Sequence, residues 1–128
     1  MKRTPKILII DDEHTLLRLS QILLQKKGCQ VSVAISAKEG RSQLLGGARF
    51  DIIVLDLMMP EENGFDFLKW KDTQPDDIRK IPVIINTAKN LAQDERDFLD
   101  SRCSRIMNKG VDFTEKLVSE VTFLTGSI

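Results

Sequence analysis

The chain has 128 residues, with 19 Lys plus Arg balanced by 19 Asp plus Glu, so its formal net charge is zero. That length suits a single core between one sheet and its covering helices, and the charge balance excludes a global positive field that would draw the chain to nucleic acid or an anionic membrane. No apolar run approaches the roughly 18 residues of a membrane span, and the opening MKRTPKILIIDD meets two aspartates before a signal-peptide core develops, so the reading is one cytoplasmic domain over residues 1–128 with no output domain. Cys29 and Cys103 form neither a disulfide framework nor a zinc ligand set, and are expected as buried or half-buried free thiols.

In chain order, short β-rich runs alternate with segments of helical period. KILIID (6–11) leads to a helix at 13–27, CQVSVA (29–34) to one at 36–46, and FDIIVLD (50–56) to one at 64–73. IPVIINT (81–87) then precedes a helix at 90–101, and SRIMN (104–108) one at 112–124. The pattern is an α/β fold of (βα)5 type. Continuous aliphatic runs in strands one, three and four imply burial on both faces, hence a parallel sheet with helices on either side and right-handed crossovers. Gly28, Gly46-Gly47 and Pro75-Asp76-Asp77 read as punctuation between elements.

Two helices show which face they bury. In the first, Leu16, Leu17, Leu19, Leu23 and Leu24 fall on one arc that faces the sheet, and Ile22 falls outside it, either as a docking residue or as an isolated exposed aliphatic. In the last, Phe113, Leu117, Val121 and Leu124 make the core stripe while Phe123 points elsewhere, as an interface or as a ring that folds back.

A parallel sheet gathers all strand C-termini on one edge, where ligands bind. Asp11 and Asp12 follow the first strand, Asp56 ends the third, Thr87 ends the fourth, and Lys109 follows the fifth. Each has a plain explanation alone: Asp12 or Glu13 as a helix cap, Thr87 as a turn residue, Lys109 as an exposed lysine. Asp56 is harder to dismiss, because a carboxylate closing a buried strand is costly to desolvate unless paired or metal-bound. Together the three carboxylates call for a counter-charge, and a hard divalent cation with oxygen ligands, Mg²⁺, supplies it. A metal and an ammonium would also neutralise an incoming phosphoryl group enough for a carboxylate oxygen to attack phosphorus.

The set Asp11-Asp12-Glu13, the D-x-x-M-P-x-x-x-G pattern of Asp56, Met59, Pro60 and Gly64, then Thr87-Ala88 and Lys109, resembles the CheY-like receiver domain of two-component response regulators over essentially the whole chain. The resemblance implies a flavodoxin-like doubly wound sheet in the order 2-1-3-4-5. It implies that Asp56 is the phosphoacceptor, served by a sensor histidine kinase or a histidine phosphotransfer protein. Asp12, Asp11 (directly or through water), Asp56 and the backbone carbonyl of Met58 would hold Mg²⁺. Lys109 would hold one phosphate oxygen and Thr87 another, while the small Ala88 would keep the passage to phosphorus open. Met58 and Lys89 would tune phosphate lifetime. Such a domain catalyses its own phosphorylation and slow dephosphorylation and switches binding of a downstream protein through the fourth helix, fifth strand and fifth helix, without contacting nucleic acid or membrane. A homodimer through the last two helices fits the same scheme, and exposed residues of the first helix, Arg18 and Ile22 among them, are its kinase-docking candidates.

Three departures from the family pattern stand out. Gly110 replaces the usual proline after the lysine, Ile106 replaces the usual aromatic three places before it, and Ser101-Arg102-Cys103 replaces the customary Gly-Ala, with Asn86 unusually polar at the end of strand four. They point to an intact phosphorylation site with a divergent output face. The Lys-Gly ending is also similar to receivers at the C-termini of hybrid kinases. Competing readings are a pseudo-receiver that binds partners without phosphorylation and a metal-dependent aspartyl-nucleophile phosphatase. The latter wants a second acid where Met58 stands and a cap insertion that the chain lacks. A flavin or nucleotide site would want a Gly-rich loop where Asp12-Glu13-His14 stands, and the sole histidine, His14, reads as a surface residue.

Overall fold

The computed structural model describes residues 4–88, 90–110 and 112–126. Five parallel strands form one sheet in the order β2-β1-β3-β4-β5, where β1 is Lys6–Ile10, β2 Gln30–Ala34, β3 Ile52–Asp56, β4 Val83–Thr87 and β5 Arg105–Asn108. The expected order and class are both present. The helices are α1 (His14–Lys26), α2 (Ala37–Leu45), α3 (Gly64–Asp72), α4 (Asp76–Arg79), α5 (Gln93–Asp100) and α6 (Phe113–Thr125).

Strand side chains alternate between faces, and both faces are apolar. Leu8, Ile10, Ile53, Leu55 and Ile85 meet Ala37 and Leu44 of α2, Phe67 and Leu68 of α3 and Leu99 of α5. The intervening residues Ile7, Ile9, Ile52, Val54 and Ile84 meet Leu17 and Leu24 of α1 and Phe113, Leu117 and Val121 of α6. This double covering is why the central strands carry uninterrupted aliphatic runs, whereas the edge strands β2 and β5 are more polar and only partly buried. Cys29 is buried in the second cluster, Cys103 packs half-buried against the first, and both are free thiols.

Local chemistry sets the element ends. Pro82 has no N–H to give a ladder, so β4 begins at Val83 rather than at Ile81, although the Pro82 carbonyl still accepts from the Ile53 amide at 3.0 Å. Ser36 caps α2 and Asn63 caps α3 by accepting from the amides of Glu39 and Asp66 at 3.1 and 3.0 Å. At α5 the side chain of Glu95 accepts from the Ala92 amide at 2.9 Å, so the helix starts at Gln93 and the expected start at 90 is too early.

Two further expectations change. The punctuation at Pro75-Asp76-Asp77 is instead the start of α4, with Pro75 at the N-cap, two acids in the first turn and Ile78 buried; one turn is too short to show a helical period. In α1 the buried line is Leu17, Ser20 and Leu24, flanked by half-buried Leu16 and Leu23, while Leu19 is 45% exposed and so does not face the sheet. Small Ser20 takes the place beneath the helix axis, which turns the arc away from Leu19. Ile22 is exposed as expected, and Phe123 is 79% exposed.

Candidate functional site

The residues singled out at the strand ends converge on the C-terminal edge of β1, β3, β4 and β5. One carboxylate oxygen from each of Asp11, Asp12 and Asp56 lies within 4.8 Å of the others. Asp11 and Asp56 are buried and Asp12 is half-buried, since Asp56 continues the face of Val54 and Asp11 that of Ile9. Lys109 reaches between them from beyond β5. Its ammonium is 3.1 Å from Asp11 Oδ2 and 3.3 Å from Asp56 Oδ2, and its own amide is tethered to the Thr87 carbonyl at 3.0 Å. Lys109 is therefore an interior counter-charge rather than a stray surface lysine.

The loop backbones fix both buried carboxylates. The Glu13 amide donates to Asp11 Oδ1 at 2.9 Å, and the Met58 amide donates to Asp56 Oδ1 at 3.1 Å. Glu13 occupies the N-cap of α1 without a side-chain capping bond. Gly64 lets α3 start directly against the end of β3. A Cβ there would lie 2.8 Å from the Asp56 carbonyl oxygen and 2.9 Å from Leu57 Cα, closer than side chains tolerate. The Gly64 amide donates to the Leu57 carbonyl at 3.0 Å and closes the loop below Asp56.

The electrostatics follow from this crowding. Burial first, and then the neighbouring Asp11 carboxylate, push Asp56 up to about 6, against the pull of the Met58 amide and Lys109. Burial would lower Lys109, but Asp11 and Asp56 outweigh it and hold the ammonium above its ordinary value. A single lysine thus only partly offsets three carboxylates. All-oxygen donors, net negative charge and a half-open position at Asp12 suit a hard divalent cation, so the residues present fit Mg²⁺.

Thr87 is fully buried at the end of β4 and Ala88 is exposed beside it, while Lys89 lies outside the described residues. The Met58 side chain is exposed, and Ile106 packs half-buried against the α2/α3/α5 side of the core. Peptide bonds among the described residues are trans, that before Gly110 included. His14 is exposed at the first position of α1.

In the sequence Asn86 stands out only as an oddly polar strand end. It is in fact part of the site: 1% exposed and paired in register with Asp56, it donates from Nδ2 to Asp11 Oδ2 at 3.2 Å while its Oδ1 finds no partner among the described residues. The signal available was a polar residue one place before Thr87 in an otherwise aliphatic buried strand.

An acidic pocket at the β1/β3 switch point, where a nucleotide-binding domain of this fold would carry a glycine-rich loop, defines a flavodoxin-like domain with a carboxylate site at that edge. The profile of the response regulator receiver domain matches residues 7–122, and the chain belongs to that family. Its members are phosphoacceptors of two-component signalling systems rather than dedicated enzymes. The response regulator SaeR of Staphylococcus aureus is 40% identical over 88 residues, which make up 69% of this chain and 36% of SaeR, so the chain spans about a third of the length of the curated relatives it matches. Among solved structures, the signal receiver domain of a signal transduction histidine kinase from Syntrophus aciditrophicus is 28% identical with a TM-score of 0.81, covering 96% of this chain and 91% of that one. A response regulator receiver protein from Pseudomonas putida, at 21% identity, shares the fold with a TM-score of 0.85 over 96% of this chain and 99% of its own. Among the described residues no helix is long and apolar enough to cross a membrane.

Proposed function

We propose that Asp56 is the phosphoacceptor of this receiver, taking a phosphoryl group from the phosphohistidine of a sensor kinase or a phosphotransfer protein in the cytoplasm. The observation that carries the reading is the joint grip on its carboxylate, with Oδ1 on the Met58 amide and Oδ2 beside Lys109. A carboxylate oxygen of Asp56 forms the new O–P bond as the donor's N–P bond breaks, and the imidazole leaves with the bonding pair. In this reading Lys109, beside Asp56 Oδ2, balances one oxygen of the transferred group, and Thr87, at the adjoining strand end, donates its hydroxyl to another.

Asp12, Asp56 and the Met58 carbonyl would hold Mg²⁺ in this reading, with Asp11, already engaged by Glu13, Asn86 and Lys109, contributing directly or through water. The metal supplies charge neutralisation between the attacking carboxylate and the phosphoryl oxygens. The product is a shifted conformational population that changes binding of a downstream protein, and the residues 1–128 act in this as one receiver unit. Arg18 and Ile22, exposed on α1, are the docking candidates for the phosphodonor protein.

The test is intact mass after incubation with acetyl phosphate, with and without Mg²⁺, for the wild type and Asp56→Asn. A single Mg²⁺-dependent phosphate adduct, absent from folded Asp56→Asn, is expected. An equal adduct in the variant overturns the assignment, and no adduct in folded wild type favours a phosphate-independent interaction module.

A further inference from the structure

β4 places an amide where the residues before it are aliphatic. Val83, Ile84 and Ile85 are buried, and Asn86 follows them at 1% exposure. A leucine has nearly the same shape and would fill that space without burying a carbonyl oxygen. Asn86 Oδ1 has no partner among the described residues, and an unpaired buried acceptor opposes folding, so packing does not account for the residue.

The other end of the amide is engaged. Nδ2 donates to Asp11 Oδ2 at 3.2 Å, from a strand position in register with Asp56. Three donors therefore hold Asp11: the Glu13 amide on Oδ1 at 2.9 Å, Asn86 on Oδ2, and the Lys109 ammonium, 3.3 Å from Oδ1 and 3.1 Å from Oδ2. Asp56 has the Met58 amide and the same Lys109. One ammonium is thus shared by two buried acids, and on Asp11 Oδ2 it has a neutral donor beside it that can stay when it leaves.

Phosphoryl transfer makes that difference matter. With Asp56 as the acceptor, on which this inference rests, Lys109 turns toward an oxygen of the incoming group and loosens its hold on Asp11. Its amide stays tethered to the Thr87 carbonyl at 3.0 Å, so the movement falls on the side chain. An Asp11 Oδ2 stripped of donors in a buried pocket would draw the ammonium back. We infer that Asn86 is a positioning residue for the phosphorylation of Asp56: by keeping a donor on Asp11 Oδ2, it releases Lys109 to the phosphoryl group. It acts through Asp11 and touches neither phosphorus nor the donor.

The experiment compares the full chain with Asn86→Leu, which keeps the shape of the side chain and removes the donor. Phosphorylation by acetyl phosphate at saturating Mg²⁺ is followed by intact mass over a range of donor concentrations, and Mg²⁺ affinity is measured separately by calorimetry without donor. The maximal rate is expected to fall about tenfold, the size of one hydrogen bond to a charged group, with the half-saturating donor concentration unchanged. Mg²⁺ should bind no more weakly than in the wild type, because the variant removes no ligand. A further measurement needs no variant: the side-chain amide protons of Asn86, followed by NMR, should stay protected from exchange after phosphorylation of the wild type. A wild-type rate in folded Asn86→Leu, a parallel loss of rate and Mg²⁺ affinity, or loss of that protection would overturn the inference and leave Asp56 as the acceptor. No adduct in the wild type would overturn the acceptor assignment, and this inference with it.

Discussion

Lys109 is the residue on which the buried carboxylates depend, because its ammonium lies within 3.3 Å of both Asp11 and Asp56. Lys109→Met leaves two buried acids without a cation, and it is expected to lower stability in metal-free buffer by about 2–3 kcal/mol, read by chemical denaturation. An unchanged midpoint would show that the pair contributes nothing net. Lys71, buried in the last turn of α3, makes a pH-dependent prediction of the opposite kind. Its folded value, brought down by burial to about 8, lies below its ordinary 10.5, so in the window between them the unfolded chain binds the extra proton and stability rises with pH. Cys29 and Cys103 are both pushed up, Cys103 to about 11 by burial and Asp100, and they work against this rise. The difference between wild type and Lys71→Met isolates the lysine. The difference should move in favour of the wild type as pH climbs through the window, whereas a difference that does not change with pH would mean that Lys71 stays protonated in the fold throughout.

Among the elements, α3 and α5 hold to the sheet in different ways. α3 is pressed against the end of β3 through Gly64, and Gly64→Ala puts a methyl 2.8 Å from the Asp56 carbonyl. That variant should lose about 1–3 kcal/mol and alter the loop that carries Met58, seen as a lowered denaturation midpoint. α5 buries only Leu99, with Phe98 half-covered beneath the Arg102 guanidinium at 3.9 Å. It should therefore exchange its amides faster than α1 or α6, and protection equal to that of α6 would contradict this. The same contrast explains what the sequence made legible. Doubly covered strands announce themselves as aliphatic runs, and α6 shows its stripe at Phe113, Leu117 and Val121. The one-turn α4 has no period to read, Ser20 hides the true buried face of α1, and Pro82 shortens β4 for a reason that hydrophobicity does not register.

For the molecule as a whole, the acidic pocket was legible because strand order brings Asp11, Asp56 and Lys109 to one edge whatever lies between them in sequence. Asn86 and Lys71 were not, because a polar residue inside an apolar run has no stated partner until the fold supplies one. In the fold, Asn86 turns to Asp11, and Lys71 turns to the end of α4. The central claim is that the acidic edge exists to phosphorylate Asp56 and no other carboxylate. The most direct measurement is borohydride trapping of the acetyl-phosphate-treated protein followed by peptide mass mapping, since reduction converts an aspartyl phosphate to homoserine. The account predicts homoserine at position 56 alone, formed only when Mg²⁺ is present. Conversion at Asp11 or Asp12, or equal conversion at 56 without the metal, would contradict it.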